Sequence, residues 1–164
     1  MDFRLTEEQQ ALQAAARDFA RGEMTAVAEQ IETDATPLSR AWLRRYAEMG
    51  FLGVNVPAAL GGLGLGNVDA FLVLEEFAKV SSAVAFPIFE SVAGPVHALA
   101  HFAGEGLKQR VIPAVCRGEM IVAVAMSEPD AGTALTDLRT RAEVRGDRVV
   151  INGAKRWCSG GGHS

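Results

Sequence analysis

Apolar residues recur at intervals of three and four from Thr6 to about Arg117, and at intervals of two after Glu119. The first spacing lines one face of a helix and the second one face of a strand, so the chain is predicted to pass from helices to sheet near residue 119. Thr6-Glu7-Glu8-Gln9 opens the helical part with a capping box, in which a hydroxyl and an amide satisfy the first free N–H groups. Leu12, Ala15, Ala16, Phe19 and Ala20 then form an inward face, with the helix predicted to end at about Arg21 and Gly22 as its stop. A shorter helix follows through Val27 and Ile31. Pro37 precedes a third, which carries Leu38, Trp42, Leu43 and Tyr46 on one side and ends at Gly50.

The stretch FLGVNVPAALGGLGLG, residues 51–66, interrupts this period. Pro57 and five glycines from Gly53 to Gly66 forbid a regular helix and permit tight turns, which predicts an ordered loop rather than a linker. Asn67 is expected to cap the next helix, whose Val68, Phe71, Leu72, Leu74, Phe77, Ala78 and Val80 make it apolar over much of its circumference, as suits a bundle interior. Two further helices are predicted after Pro87, from Ile88 to about Phe102 and from Gly106 to about Arg117, with Pro95 and Pro113 as kink positions. Met120 to Met126 is a continuous apolar run that fits a buried strand. Leu138, Thr140, Ala142 and Val144 then alternate with Arg139, Arg141, Glu143 and Arg145, and Gly146-Asp147 and Asn152-Gly153 are hairpin signals. A sheet begun so late has few partner strands, so the expected organisation is a helical domain, residues 1–118, and an incomplete β-domain, residues 119–164.

Composition narrows the function. With 164 residues and 49% hydrophobic content, the chain has ample material for a packed core. A formal net charge of -4 gives no reason to expect nucleic acid or an anionic membrane as partner. Cys116 and Cys158 lack ligand-like spacing and suit a reducing, cytoplasmic setting better than a disulfide framework. The acidic, polar start MDFRLTEEQQ is neither a secretory signal nor a transit peptide. No apolar stretch is taken to reach the roughly 20 residues of a membrane span.

Candidate chemistry centres on MSEPDAGTALTD, residues 126–137, a polar loop that follows the apolar run. It contains no His or Cys and no G-x-S-x-G elbow, so metal binding and nucleophilic catalysis start poorly. His97 and His101 stand at i, i+4 without an evident third ligand and read as a helix-surface pair. Glu75 and Glu76 read as a solvated edge or an ion pair rather than as acid–base groups.

Taken together, LTEEQQALQAAARDFA, GGLGLG leading into DAFLVLEEFA, then MSEPDAGT and INGAKRWCSGG resemble, in order and spacing, the N-terminal and early middle portion of the acyl-CoA dehydrogenase family. The resemblance implies an α+β fold, an all-α helical bundle followed by part of an antiparallel β-barrel. It implies FAD as cofactor, acyl-CoA as substrate, electron-transfer flavoprotein as a partner and a homo-oligomeric complete form. The family oxidises an acyl-CoA at its α and β carbons, a carboxylate taking the α-proton while hydride leaves the β-carbon for flavin N5. Residue by residue, Met126 and Ser127 match positions at the edge of the flavin ring, Gly132 and Thr133 match positions at the pyrophosphate, Trp157 matches an indole packed on the flavin, and Ser159 matches a hydroxyl near N5. Phe86 to Val96 matches a region lining the acyl pocket.

The chain departs from the family in having Ala134 where an acid is common, and Cys158-Ser159-Gly160 where Ile-Thr-Asn is common. The family's base lies in its C-terminal domain, so no catalytic residue is assigned here and the isolated chain is expected to be inactive. The alternative is a noncatalytic helical module that binds acyl-CoA or a protein partner. Oxidases and monooxygenases of the same fold also remain open.

Overall fold

The computed structural model describes residues 4–163, and its contacts divide the chain into two compact units between Val122 and Ala123. Among the described residues the first unit holds six α-helices: α1 (Glu7–Asp34), α2 (Arg40–Glu48), α3 (Asn67–Ala78), α4 (Ser82–Val92), α5 (Pro95–Phe102) and α6 (Glu105–Cys116). The second holds one antiparallel hairpin, β1 (Arg141–Arg145) and β2 (Arg148–Asn152). This is the α+β arrangement expected from the change of period.

The Thr6 hydroxyl accepts from the Gln9 amide at 3.2 Å and the Gln9 side chain accepts from the Thr6 amide at 3.1 Å, so the predicted capping box is formed. Gly22, however, does not stop α1, which runs on through the region predicted as a second helix. A mid-helix glycine costs about 1 kcal/mol relative to alanine. The burial of Phe19, Ala20, Met24 and Ala28 along one face outweighs it. Their partners are Tyr46, Phe51, Phe77, Val84 and Ile88. Phe19, Tyr46, Phe51 and Phe77 interlock with ring centroids 5.0 to 5.9 Å apart, mostly edge to face, the geometry that ring quadrupoles favour. The Tyr46 hydroxyl donates to the Val84 carbonyl at 3.1 Å, which satisfies its polar end inside this core.

Charge is also handled locally. Glu76 is buried and meets Arg17 at 3.2 Å and Lys79 at 2.9 Å. Burial works against its ionisation, but the hydrogen bonds from Arg17 and Lys79 prevail and hold its pKa below the ordinary value. The ion-pair reading of Glu76 is therefore the correct one.

Several boundaries differ from expectation. Gly66, not Asn67, is the N-cap of α3, and the Asp69 carboxylate takes the Gly66 amide at 2.8 Å. Pro87 lies inside α4 rather than before it. Pro95 starts α5 instead of kinking a long helix, because its missing N–H is no loss in a first turn. Contrary to the expectation about spans, Ser82–Phe102 is long and apolar enough to cross a membrane by length and composition. It is divided between α4 and α5, and Val84, Ile88, Val92 and Val96 are buried in the core while Phe86, Phe89 and Phe102 are exposed.

Residues 51–66 are ordered as predicted. The amides of Leu63, Gly64 and Leu65 donate to the carbonyls of Gly53, Val56 and Val54. A side chain at Gly62 would run into the Val56 and Gly53 carbonyls, so close backbone approach requires that glycine. Met120–Met126, expected to be a strand, pairs with no strand among the described residues, and a ladder needs a partner.

Candidate functional site

The loop from Met126 begins with a tight reversal. Glu128 and Ala131 exchange backbone hydrogen bonds, the Glu128 amide to the Ala131 carbonyl at 2.8 Å and the reverse at 3.3 Å. Pro129 and Asp130 fill the turn between them, residue types that preset such geometry. Gly132 follows, and a methyl group at that position would meet nothing within 4 Å, so its backbone presents an open face. Thr133 beside it is exposed, and its carbonyl accepts from Leu135 at 3.0 Å.

The chain then enters the hairpin. Gly146-Asp147 reverses it as predicted, pairing Arg145 with Arg148 and Arg141 with Asn152. Asn152-Gly153, in contrast, does not lead into a third strand among the described residues. Gly153 instead lets the outgoing chain lie against Thr140, where any side chain would collide with that residue. From there Lys155, Arg156 and Trp157 return to the start of the loop. The Arg156 amide donates to the Ser127 carbonyl at 2.9 Å. Lys155 Nζ donates to the Met126 carbonyl and to Glu128 Oε1, both at 2.9 Å.

The stretch bearing the candidates Met126 and Ser127 is thus joined, through the Arg156 amide, to the stretch bearing the candidate Trp157. Ser127 is half-buried, Met126 and Ser159 are exposed, and Trp157 is 81% exposed. Trp157 also adopts φ of 62°, the left-handed region that non-glycine residues rarely occupy, with the Arg156 guanidinium 5.5 Å from its ring centroid. The indole is held in that conformation with most of its surface exposed. Cys158 and Gly161 close a turn around Ser159, the Gly161 amide donating at 3.0 Å. Gly132 and Thr133 follow the Glu128–Ala131 reversal, and no hydrogen bond ties them to the Trp157 stretch.

Sequence reasoning gave Glu128 no role beyond the turn and did not single out Lys155. Glu128 is buried and its carboxylate accepts from the Arg139 amide at 2.7 Å and the Thr140 amide at 2.9 Å, besides Lys155. Hydrogen bonding from Thr140, the Arg139 amide and Lys155 holds its pKa at about 2. A carboxylate whose pKa is held so low is a weak base. The available signal was an acid in a proline turn and a lysine two positions before Trp157, too generic to pair without the fold.

Glu90 is the other buried acid. It borders a cavity of about 10 Å³ with Leu43, Leu52, Pro87, Val115 and Ile121, and burial raises its pKa to about 7. On another face of α4, Phe86 and Phe89 line a groove of about 240 Å³ with Leu74, Ala78 and Ala85. No group of three or more His, Cys, Asp or Glu among the described residues could hold a metal ion.

Residues 6–119 match the N-terminal domain of the acyl-CoA dehydrogenases. The chain belongs to the acyl-CoA dehydrogenase family. It is 33% identical over 164 residues to 3-sulfinopropanoyl-CoA desulfinase of Advenella mimigardefordensis, covering 99% of this chain and 40% of that protein. Its structure is similar to that of glutaryl-CoA dehydrogenase in a glutaryl-CoA complex, with a TM-score of 0.92 at 30% identity over 100% of this chain and 42% of that one. The FAD complex of PigA gives a TM-score of 0.89 at 26% identity, over 100% of this chain and 43% of that one. The chain thus spans about two fifths of the length of these relatives.

Proposed function

We propose that this chain contributes part of the flavin site and one wall of the substrate pocket of an FAD-dependent oxidoreductase that acts on an acyl-CoA thioester. The observation that carries the reading is the Arg156 amide on the Ser127 carbonyl, which joins the two separated stretches into one surface. The residues fit a flavin. Trp157 offers an uncovered apolar face, Ser127 and Ser159 offer neutral hydroxyls, and Gly132 offers backbone that nothing within the chain obstructs. In this reading Met126, Ser127, Trp157 and Ser159 hold the ring, and Gly132 and Thr133 meet the pyrophosphate. FAD, when bound, supplies the hydride acceptor.

The proposed reaction removes a proton from the α-carbon and hydride from the β-carbon. Neither buried acid suits the proton step: Glu128 is held ionised at a pKa of about 2 by its three partners, and Glu90 borders a cavity too small for a substrate. The resemblance places the family's base in a C-terminal domain, so no residue here is assigned that role, and the 164-residue polypeptide by itself is expected to show no turnover with straight-chain acyl-CoA. A positioned base alone is worth a factor of about 100 to 10,000. Electron-transfer flavoprotein is the proposed acceptor of the reducing equivalents, and self-association of the complete protein is proposed with it. The names of the two CoA-dependent relatives support an acyl thioester as the substrate class.

With a C-terminal portion supplied, as a longer polypeptide or a separate chain, the flavin content of two variants tests this reading. Gly132→Val adds a branched side chain where the chain itself has room, so lost FAD would report obstruction of the ligand and not a folding defect. Ser159→Ala removes one neutral hydrogen bond, worth about 0.5 to 1.5 kcal/mol, and should retain most of the cofactor. Full FAD occupancy in Gly132→Val would show that the cradle lies elsewhere.

A further inference from the structure

Three stretches of the second unit meet at one ion pair. Glu128 Oε2 takes the Arg139 amide, Glu128 Oε1 takes the Thr140 amide and Lys155 Nζ, and the same ammonium holds the Met126 carbonyl. The Glu128–Ala131 reversal fixes the acid from the other side. Apart from the hairpin ladder itself, these bonds and the Arg156 amide on Ser127 are what tie residues 126–128 to 139–140 and to 155–156.

An ion pair with one end buried is a poor source of net stability, because desolvation and solvent screening offset much of its attraction. It is a good source of geometry, since an acceptor with two oxygens and an ammonium with three donors fix direction as well as distance. We propose that Glu128 and Lys155 are positioning residues for the flavin cradle, setting the stretch that bears Ser127 against the stretch that bears Trp157. The proposal rests on the flavin reading above. It adds that cofactor affinity depends on two residues that act through the backbone of their neighbours.

Substitution has chemically distinct consequences at the two ends. Glu128→Gln replaces one acceptor oxygen with an N–H₂ donor that must face either the Arg139 amide or the Thr140 amide and Lys155. Lys155→Met leaves Glu128 its two amide bonds but frees the Met126 carbonyl. Lys155→Arg keeps the positive charge and its donors.

With the same C-terminal portion supplied, the test makes two measurements: FAD affinity by fluorescence titration, and hydrogen exchange of the Arg156 amide in the flavin-free protein. Glu128→Gln and Lys155→Met should each weaken FAD binding about tenfold or more, the scale of one lost charge-assisted hydrogen bond. Both should speed Arg156 exchange while leaving exchange in α1 and α3 unchanged, and Lys155→Arg should recover most of the affinity. Parental FAD affinity in Lys155→Met overturns the proposal whatever the amide does, because the pair then holds only the hairpin. If the parent binds no FAD, or Gly132→Val binds it normally, the flavin reading has failed instead. The Arg156 exchange rate then decides the ion pair by itself, and an unchanged rate in Lys155→Met overturns it.

Discussion

At the scale of single residues, burial converts ordinary side chains into measurable quantities. Glu90 has a pKa raised from 4.5 to about 7 by desolvation, so the folded protein holds its proton more tightly than the unfolded chain does. The stability tied to that proton is fully present below about pH 4.5 and is lost as the pH rises through 7. The loss amounts to up to about 3 kcal/mol at about 1.4 kcal/mol per unit. Glu90→Gln should therefore melt higher than the parent at pH 8, with the advantage shrinking towards pH 5. Melting curves that run parallel across that range would exclude the assignment. Gly62 makes the opposite kind of prediction. The carbonyls of Val56 and Gly53 leave no room for a methyl group, so Gly62→Ala should cost about 1 to 3 kcal/mol in urea unfolding, as overpacking does. The glycine run itself was legible as an ordered loop. Which glycine is sterically required was not, because the obstructing carbonyls belong to the fold of the loop.

At the scale of elements, α1 shows how packing overrides a local stop signal. Gly22 lies on its exposed side, where a methyl group would meet nothing within 4 Å, so the helix passes through it at a cost that the buried face covers. Gly22→Ala should then stabilise the protein by about 0.4 to 1 kcal/mol, measured by denaturant midpoint at unchanged slope. Destabilisation would mean that the glycine has a packing role. The hairpin lies at the other extreme. Val144, Val149 and Ile151 are 80%, 60% and 69% exposed, and a lone two-stranded ribbon is marginal in water. Native-state hydrogen exchange of the 164-residue chain should therefore run faster in β1 and β2 than in α1 and α3, where the aromatic cluster is buried. Equal protection would show that the hairpin is supported by more than its own ladder.

At the scale of the whole molecule, both hydrophobic clusters lie within the unit that ends at Val122. A polypeptide of residues 1–122 should consequently fold alone, with helical circular dichroism and a cooperative thermal transition close to that of the 164-residue chain; a non-cooperative melt would contradict this. Local sequence alone determined the end of the helical part near residue 117, the capping box at Thr6 and the hairpin turn at Gly146-Asp147, because each depends on neighbours within a few residues. The resemblance in motif order likewise determined the family. Tertiary structure decided the rest. It carried α1 through Gly22, split Ser82–Phe102 between α4 and α5, and left Met120–Met126 without a partner strand among the described residues. It also brought Ser127 to Arg156 and made Glu128 and Lys155 a pair across 27 positions of sequence. Hydrogen bonds and burial between distant segments depend on where the chain returns, and spacing along the sequence encodes only which face each segment presents when it does.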